Sequence, residues 1–352
     1  MTHEFKHIIE AYTIANQAGI KTVLATVVSV DGSSYRGAGV RMLVLENKQI
    51  VGAISGGCVE KEVIRQAQTV FKTGNSKLMT YDGRFRLGCE GTLFVLLEVF
   101  SPKKEVIDSI KKSIDARHAF EISTFYNKDT AHIQCGSIIS FSRKEDFYSF
   151  SSKEGLINER TSFLEFKEKL LPCFRLIIIG TEHDAVSLCT QASCLGWEVW
   201  IVAASDSRKE KQNFPGASHL VKVSADDFSI EGIDKQTAFV LMNHNYAKDV
   251  LYLKALKNTE PMYIGLLGPS KRKEQMLSSF IEYHFDVTDA FLESIYGPAG
   301  LNIGGETPQE IAISIISEII AVSQGKKAYH LQDKKGSIHD RDLKSVKFFN
   351  EK

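Results

Sequence analysis

Arg175 to Ile179 (RLIII) reads as a buried strand running straight into Gly180, and the pattern it begins leaves the second half of the chain few folds. A helix follows to about Leu195, Gly196-Trp197 turns, and a second strand runs from Val199 to Ala203. Further strands are expected at Phe239 to Met242 and Met262 to Leu266, each with a helix behind it. Strands alternating with helices predict a parallel, doubly wound α/β sheet. The clearest helix spans 307–323, where Thr307-Pro308-Gln309-Glu310 combines a capping box with proline at the first helical position.

Ligands of such a sheet bind beyond the carboxyl ends of its strands. Four consecutive strand ends here gather polar residues and glycines: Gly180-Thr181-Glu182-His183, Asp206-Ser207-Arg208, Met242-Asn243-His244 and Gly268-Pro269-Ser270-Lys271. The G-x-G-x-x-G fingerprint of a Rossmann nucleotide site is only partly present. Gly180 fits its first glycine and Ala185 its third. Glu182 takes the second position, where a carboxylate both obstructs and repels a pyrophosphate. Asp206 suits a ribose-binding acid, with Arg208 beside it. Gly268, Ser270 and Lys271 open a helix that offers N–H groups and positive charge to a phosphate, or is simply a solvated basic start. His183 and His244 share the crevice as candidate acids, bases or anion donors, or as structural hydrogen-bonders.

The first half is of mixed α/β type. A helix over 3–18 precedes a β-branched strand at Lys21 to Val30, and short strands are expected near 40–46, 49–54, 76–80 and 92–99. Helices are expected over 59–73 and 103–117, then looser strands and hairpins over 118–160. Cys58 sits where Ser55-Gly56-Gly57 turns into a helix, and helix N-termini stabilise anions, thiolates among them. Glu60 beside it is a candidate acid or base. Cys89, in Gly88-Cys89-Glu90-Gly91, is the second candidate thiol. Either cysteine is equally at home buried. Arg36, in the loop that holds Ser34, has the guanidinium geometry for a phosphate, although a plain surface arginine explains it as well. Cys189 and Cys194 fall in the helix after Gly180 and are expected to pack.

Domains are expected over 1–150 and 173–325, with a polar linker at 151–172 and a charged tail at 326–352. Lys and Arg number 43, as do Asp and Glu, so nothing forms the basic footprint of a nucleic-acid binder. No apolar run is long enough for a membrane span. The first residues lack a signal pattern, which suggests the cytoplasm. Six cysteines without C-x-x-C spacing suit free thiols and leave iron–sulfur ligation and a metal cluster without grouped ligands.

Several motifs in order resemble the XdhC/CoxI family. In the first half they are Gly32-Ser33-Ser34-Tyr35-Arg36, Ile54-Ser55-Gly56-Gly57-Cys58-Val59-Glu60 and Gly88-Cys89-Glu90-Gly91. In the second half they are Asp206-Ser207-Arg208, Met242-Asn243-His244, Tyr263-Ile264-Gly265-Leu266-Leu267-Gly268, Pro298-Ala299-Gly300-Leu301 and Thr307-Pro308-Gln309-Glu310-Ile311-Ala312. The resemblance implies an accessory factor that carries molybdenum cofactor (molybdopterin) as cargo and aids its sulfuration and insertion into a xanthine dehydrogenase-type molybdoenzyme. It implies that enzyme, and with it a sulfurtransferase, as partners. A homodimer is compatible with it. A nucleotide or NAD(P) at the Rossmann-like domain stays open. The family usually has three glycines before the histidine where this chain has Gly180-Thr181-Glu182, and Cys-Gly-Gly where it has Cys89-Glu90-Gly91. Two other readings stay open: an NAD(P)-dependent oxidoreductase or xanthine dehydrogenase subunit, and a redox adaptor in which Cys58 and Cys89 form a disulfide.

Overall fold

The structure is a computed structural model that describes residues 1–32, 34–83, 91–128, 135–141, 147–151, 163–284 and 286–334. The chain divides into two compact units. One is Met1–Pro172 together with the residues from Leu331, and the other is Cys173–His330.

The first unit opens with α1 (Thr2–Gln17) and β1 (Thr22–Asp31). It continues through β2 (Arg41–Leu45), β3 (Ile50–Val51), α2 (Cys58–Thr73), β4 (Lys77–Asp82), β5 (Thr92–Val99) and α3 (Lys104–Asp115). It closes with β6 (Phe120–Tyr126), β7 (Gly136–Ser140), β8 (Phe147–Ser149) and β9 (Leu164–Leu170). Two antiparallel sheets result, in the orders β3-β2-β1-β5-β4 and β8-β7-β6-β9. Alternation decides what each face of the first sheet meets. Val23, Ala25, Val27, Met42, Val44, Val95 and Leu97 pack against Val59, Val63, Ala67 and Val70 of α2. The opposite face carries Leu24, Thr26, Arg41, Leu96 and Glu98, since side chains two apart share a face and Thr26 pairs with Arg41 and Leu24 with Glu98. Beside it an aromatic cluster of Phe5, Tyr12, Phe100, Phe120 and Phe150 ties α1 to β6.

Residues 151–172 are not only a linker, because β9 pairs with β6 along its whole length. Its sequence, LEFKEKL, alternates Leu164, Phe166 and Leu170 on one side, but Glu168 breaks the apolar pattern. That carboxylate, only 10% exposed, is tolerated because Arg41 meets it: Arg41 Nη1 lies 2.7 Å from Glu168 Oε2. A charge that packs against a charge on another strand hides the strand from any reading of hydrophobicity.

The second unit runs β10 (Arg175–Ile179), α4 (His183–Cys194), β11 (Glu198–Ala203), β12 (Ala217–Lys222), β13 (Thr237–Leu241) and α5 (Tyr246–Leu256). Then come β14 (Tyr263–Leu266), α6 (Ser270–Tyr283), α7 (Asp289–Glu293), β15 (Ile295–Tyr296) and α8 (Pro308–Ser323). All six strands are parallel, in the order β12-β11-β10-β13-β14-β15. This is the doubly wound Rossmann-like sheet expected from the sequence. Helices cover both faces. Leu176, Ile178, Val199 and Val240 pack against α4 and α8, while Ile177, Ile179, Phe239 and Leu241 pack against α5, α6 and α7. Strand order reverses between β10 and β13, which puts a crevice beyond Ile179 and Leu241. No helix among the described residues is long and apolar enough to cross a membrane.

Candidate functional site

In the first unit the structure brings two expected loops together. Arg36 donates from Nη1 to the carbonyl of Ala53 at 2.7 Å, and its Nη2 contacts both oxygens of Glu4 at 2.7 and 2.8 Å. Arg36 therefore braces the loop before Cys58 against α1, with its fork already taken by a carboxylate. Ser34 turns inward, its hydroxyl donating to the Arg36 carbonyl at 2.6 Å.

Cys58 is the first residue of α2 and is exposed. Nothing lies within 4 Å of where a side chain would begin at Gly56 or Gly57, so the thiol stands beside open space. Glu60 does not share that space. It is buried, at 6% exposure, and takes hydrogen bonds from Ile54 N, Ser55 N and Ser55 Oγ at 3.0, 2.6 and 2.7 Å. Burial pushes its carboxyl up, but bonds from Ser55, Ile54 and its own N–H outweigh that and hold it below the ordinary value. A carboxylate so occupied fastens a loop. Gly88 and Cys89 lie outside the described residues.

The structure also shows a buried acid, on the sheet face opposite α2, that sequence reasoning missed. Glu98 is 2% exposed and accepts from Ser137 N at 2.8 Å and Ser137 Oγ at 2.5 Å. Burial pushes its carboxyl up to about 7, against the Ser137 bonds and the charge of Arg41. The signal was present as a lone Glu in the apolar run Thr92–Val99.

In the second unit Gly180, His183, Asp206, Arg208, His244, Gly268, Ser270 and Lys271 all lie beyond carboxyl ends of the parallel strands or in the helix starts that follow. Gly180 adopts φ +142°, and a side chain there would meet the Met242 carbonyl oxygen at 2.6 Å, so only glycine lets this turn close on β13. Glu182 caps α4 without a side-chain bond, and Asp184 sits in the helix's first turn. Two carboxylates thus stand where a pyrophosphate meets the helix in a dinucleotide site. His183 is exposed. His244, at φ +53°, places Nε2 3.7 Å from Asp184 Oδ2.

The rim is held from beneath by Asp249, buried at the start of α5. It accepts from Asn243 Nδ2 at 3.0 Å and Arg272 Nη2 at 2.6 Å. Burial pushes its carboxyl up, against the pull of both partners. Asp249 thereby links the loop after β13 to the first turn of α6. On α4, Cys189 is fully buried and its thiol is pushed up to about 12 by burial, while Cys194, expected to pack, is exposed. Among the described residues no group of His, Cys, Asp and Glu is arranged to hold a metal ion.

Comparison with known proteins gives matches over most of the chain. The family models described as "XdhC and CoxI family" and "XdhC Rossmann domain" match residues 15–82 and 176–319. A Bacillus subtilis (strain 168) protein, named as a probable xanthine dehydrogenase subunit, is 29% identical over 321 residues, 85% of this chain and 92% of its own. The Escherichia coli (strain K12) molybdenum cofactor insertion chaperone PaoD is 21% identical over 327 residues, 92% of this chain and 90% of its own. A crystal structure described as a xanthine dehydrogenase from Bacillus halodurans aligns with a TM-score of 0.74 and 27% identity, over 91% of this chain and 96% of that one.

Proposed function

The chain belongs to the XdhC/CoxI family, and from that premise we propose that it is an accessory factor that binds molybdenum cofactor and hands it to a xanthine dehydrogenase-type molybdoenzyme. The relative named as a cofactor insertion chaperone spans nearly the whole chain, which supports this reading over the second unit acting alone. The observation that carries the site assignment is the loop of Ser55, Gly56, Gly57 and Cys58: an exposed thiol at a helix N-terminus, beside open space, on a loop fastened from two sides. A pterin dithiolene with a phosphate suits such a place. Sulfur chemistry is presented next to unblocked backbone, and the helix start favours negative charge.

In the same reading the protein assists sulfuration of its cargo with a sulfurtransferase as second partner, and acts in the cytoplasm. The crevice of the second unit is the alternative ligand site. Glu182 and Asp184 at the start of α4 weigh against a pyrophosphate there, and so against an NAD(P)-dependent oxidoreductase.

Purified protein incubated with molybdenum cofactor should retain pterin, read by fluorescence after oxidation, and Cys58→Ala should lose most of it. Retention undiminished in Cys58→Ala would remove the thiol from the site. No retention by wild type would send the search to the crevice of the second unit.

A further inference from the structure

Glu60 sits two residues from the exposed thiol, yet its carboxylate is spent inside the loop. An ionised carboxylate only accepts hydrogen bonds, so each neighbour must donate to it. Ser55 has a single hydroxyl proton, given to Glu60 Oε2 at 2.7 Å. Its lone pairs are then left to face the N–H groups of Gly57 and Val59, at 3.2 and 3.3 Å. Those two donors flank Cys58 in the chain. Across the loop, Arg36 holds the Ala53 carbonyl.

We propose that Glu60 is the positioning residue of the thiol loop: by fixing the direction of the Ser55 hydroxyl it keeps the flanking N–H groups engaged and Cys58 in one place beside open space. This rests on the reading that the loop holds the cargo. It departs from an acid–base role for Glu60, because both carboxylate oxygens are committed and turned into the loop. The role depends on a group that only accepts. Glutamine has nearly the same shape but puts an NH₂ donor where an acceptor is needed, so one bond reverses and takes one of the two Ser55 lone pairs that Gly57 and Val59 otherwise use.

The test compares wild type with Glu60→Gln, Ser55→Ala and Ser55→Thr in the full chain. Iodoacetamide alkylation of Cys58 is followed by peptide mass spectrometry, and pterin retention is measured in parallel. A loop that loses these bonds opens more readily and presents the sulfur to the reagent more often. Glu60→Gln and Ser55→Ala should therefore be alkylated several-fold faster than wild type and should release bound pterin several-fold faster. Ser55→Thr, which keeps the hydroxyl, should recover most of the wild-type behaviour. Filling space alone would give no such recovery.

Equal alkylation rates in wild type, Glu60→Gln and Ser55→Ala would overturn the proposal, as would Ser55→Thr ranking with Ser55→Ala. Should Glu60→Gln fail to fold, Ser55→Ala carries the comparison, since it removes one oxygen from a loop. A wild type that retains no pterin would sink the cargo reading, while the alkylation series would still decide the role of Glu60.

Discussion

A carboxyl group shut away from water needs either a counter-charge or a proton, and the Arg41 charge near Glu98 is paired with another acid. Arg41 gives Nη1 to Glu168 at 2.7 Å, so the surplus acid of the trio is Glu98, whose own bonds come from Ser137. Its folded pKa, about 7, lies above the ordinary 4.5. The folded state therefore binds its proton more tightly than the unfolded chain does, and each unit of difference is worth about 1.4 kcal/mol. That contribution is fully present below pH 4.5 and is lost as pH rises through 7. Thermal unfolding between pH 5 and pH 8 should show wild type losing stability as pH rises. Glu98→Gln, which mimics the protonated form, should lose much less and be the more stable of the two at pH 8. Parallel pH curves would mean that Glu98 is ionised throughout.

Elements report how far local chemistry determines structure. Helix α8 was legible down to its first residue. Thr307 Oγ1 accepts from Glu310 N at 3.3 Å, and Glu310 Oε2 accepts from Thr307 N at 2.9 Å, which is the reciprocal cap read from the sequence. Thr307→Ala should cost about 1 kcal/mol in chemical denaturation, with the midpoint shifted and the slope unchanged. Strand β10 and helix α2 were legible for the same reason: their signals lie within one continuous stretch of chain. Strand β9 was not, because the partner that makes Glu168 tolerable comes from β2, far away in the chain. The candidate site followed the same division. Cys58 and its glycines announced themselves as a turn into a helix. That Arg36 is held by Glu4, and that Glu60 is a fastener, depended on contacts that spacing does not encode.

At the scale of the molecule, each unit closes its own core. The sheet of the second unit is covered on one face by α4 and α8 and on the other by α5, α6 and α7, all drawn from Cys173–His330. A fragment of residues 173–330 should therefore fold alone and melt in one cooperative transition. A fragment lacking tertiary signals in near-ultraviolet circular dichroism would show that it needs the rest of the chain. Alternation of strands and helices predicted the doubly wound class but not the reversal of strand order that creates the crevice, because order is set by pairings between distant strands. The Arg41–Glu168 pair has a consequence for descent. A side chain at Gly39 would come within 2.9 Å of the Glu168 carboxylate, and the Gly39 carbonyl also takes a bond from Arg41. Positions 39, 41 and 168 thus share one set of contacts: a change at any of them alters the space or the partner that the other two use, so among relatives the three should drift together or stay still.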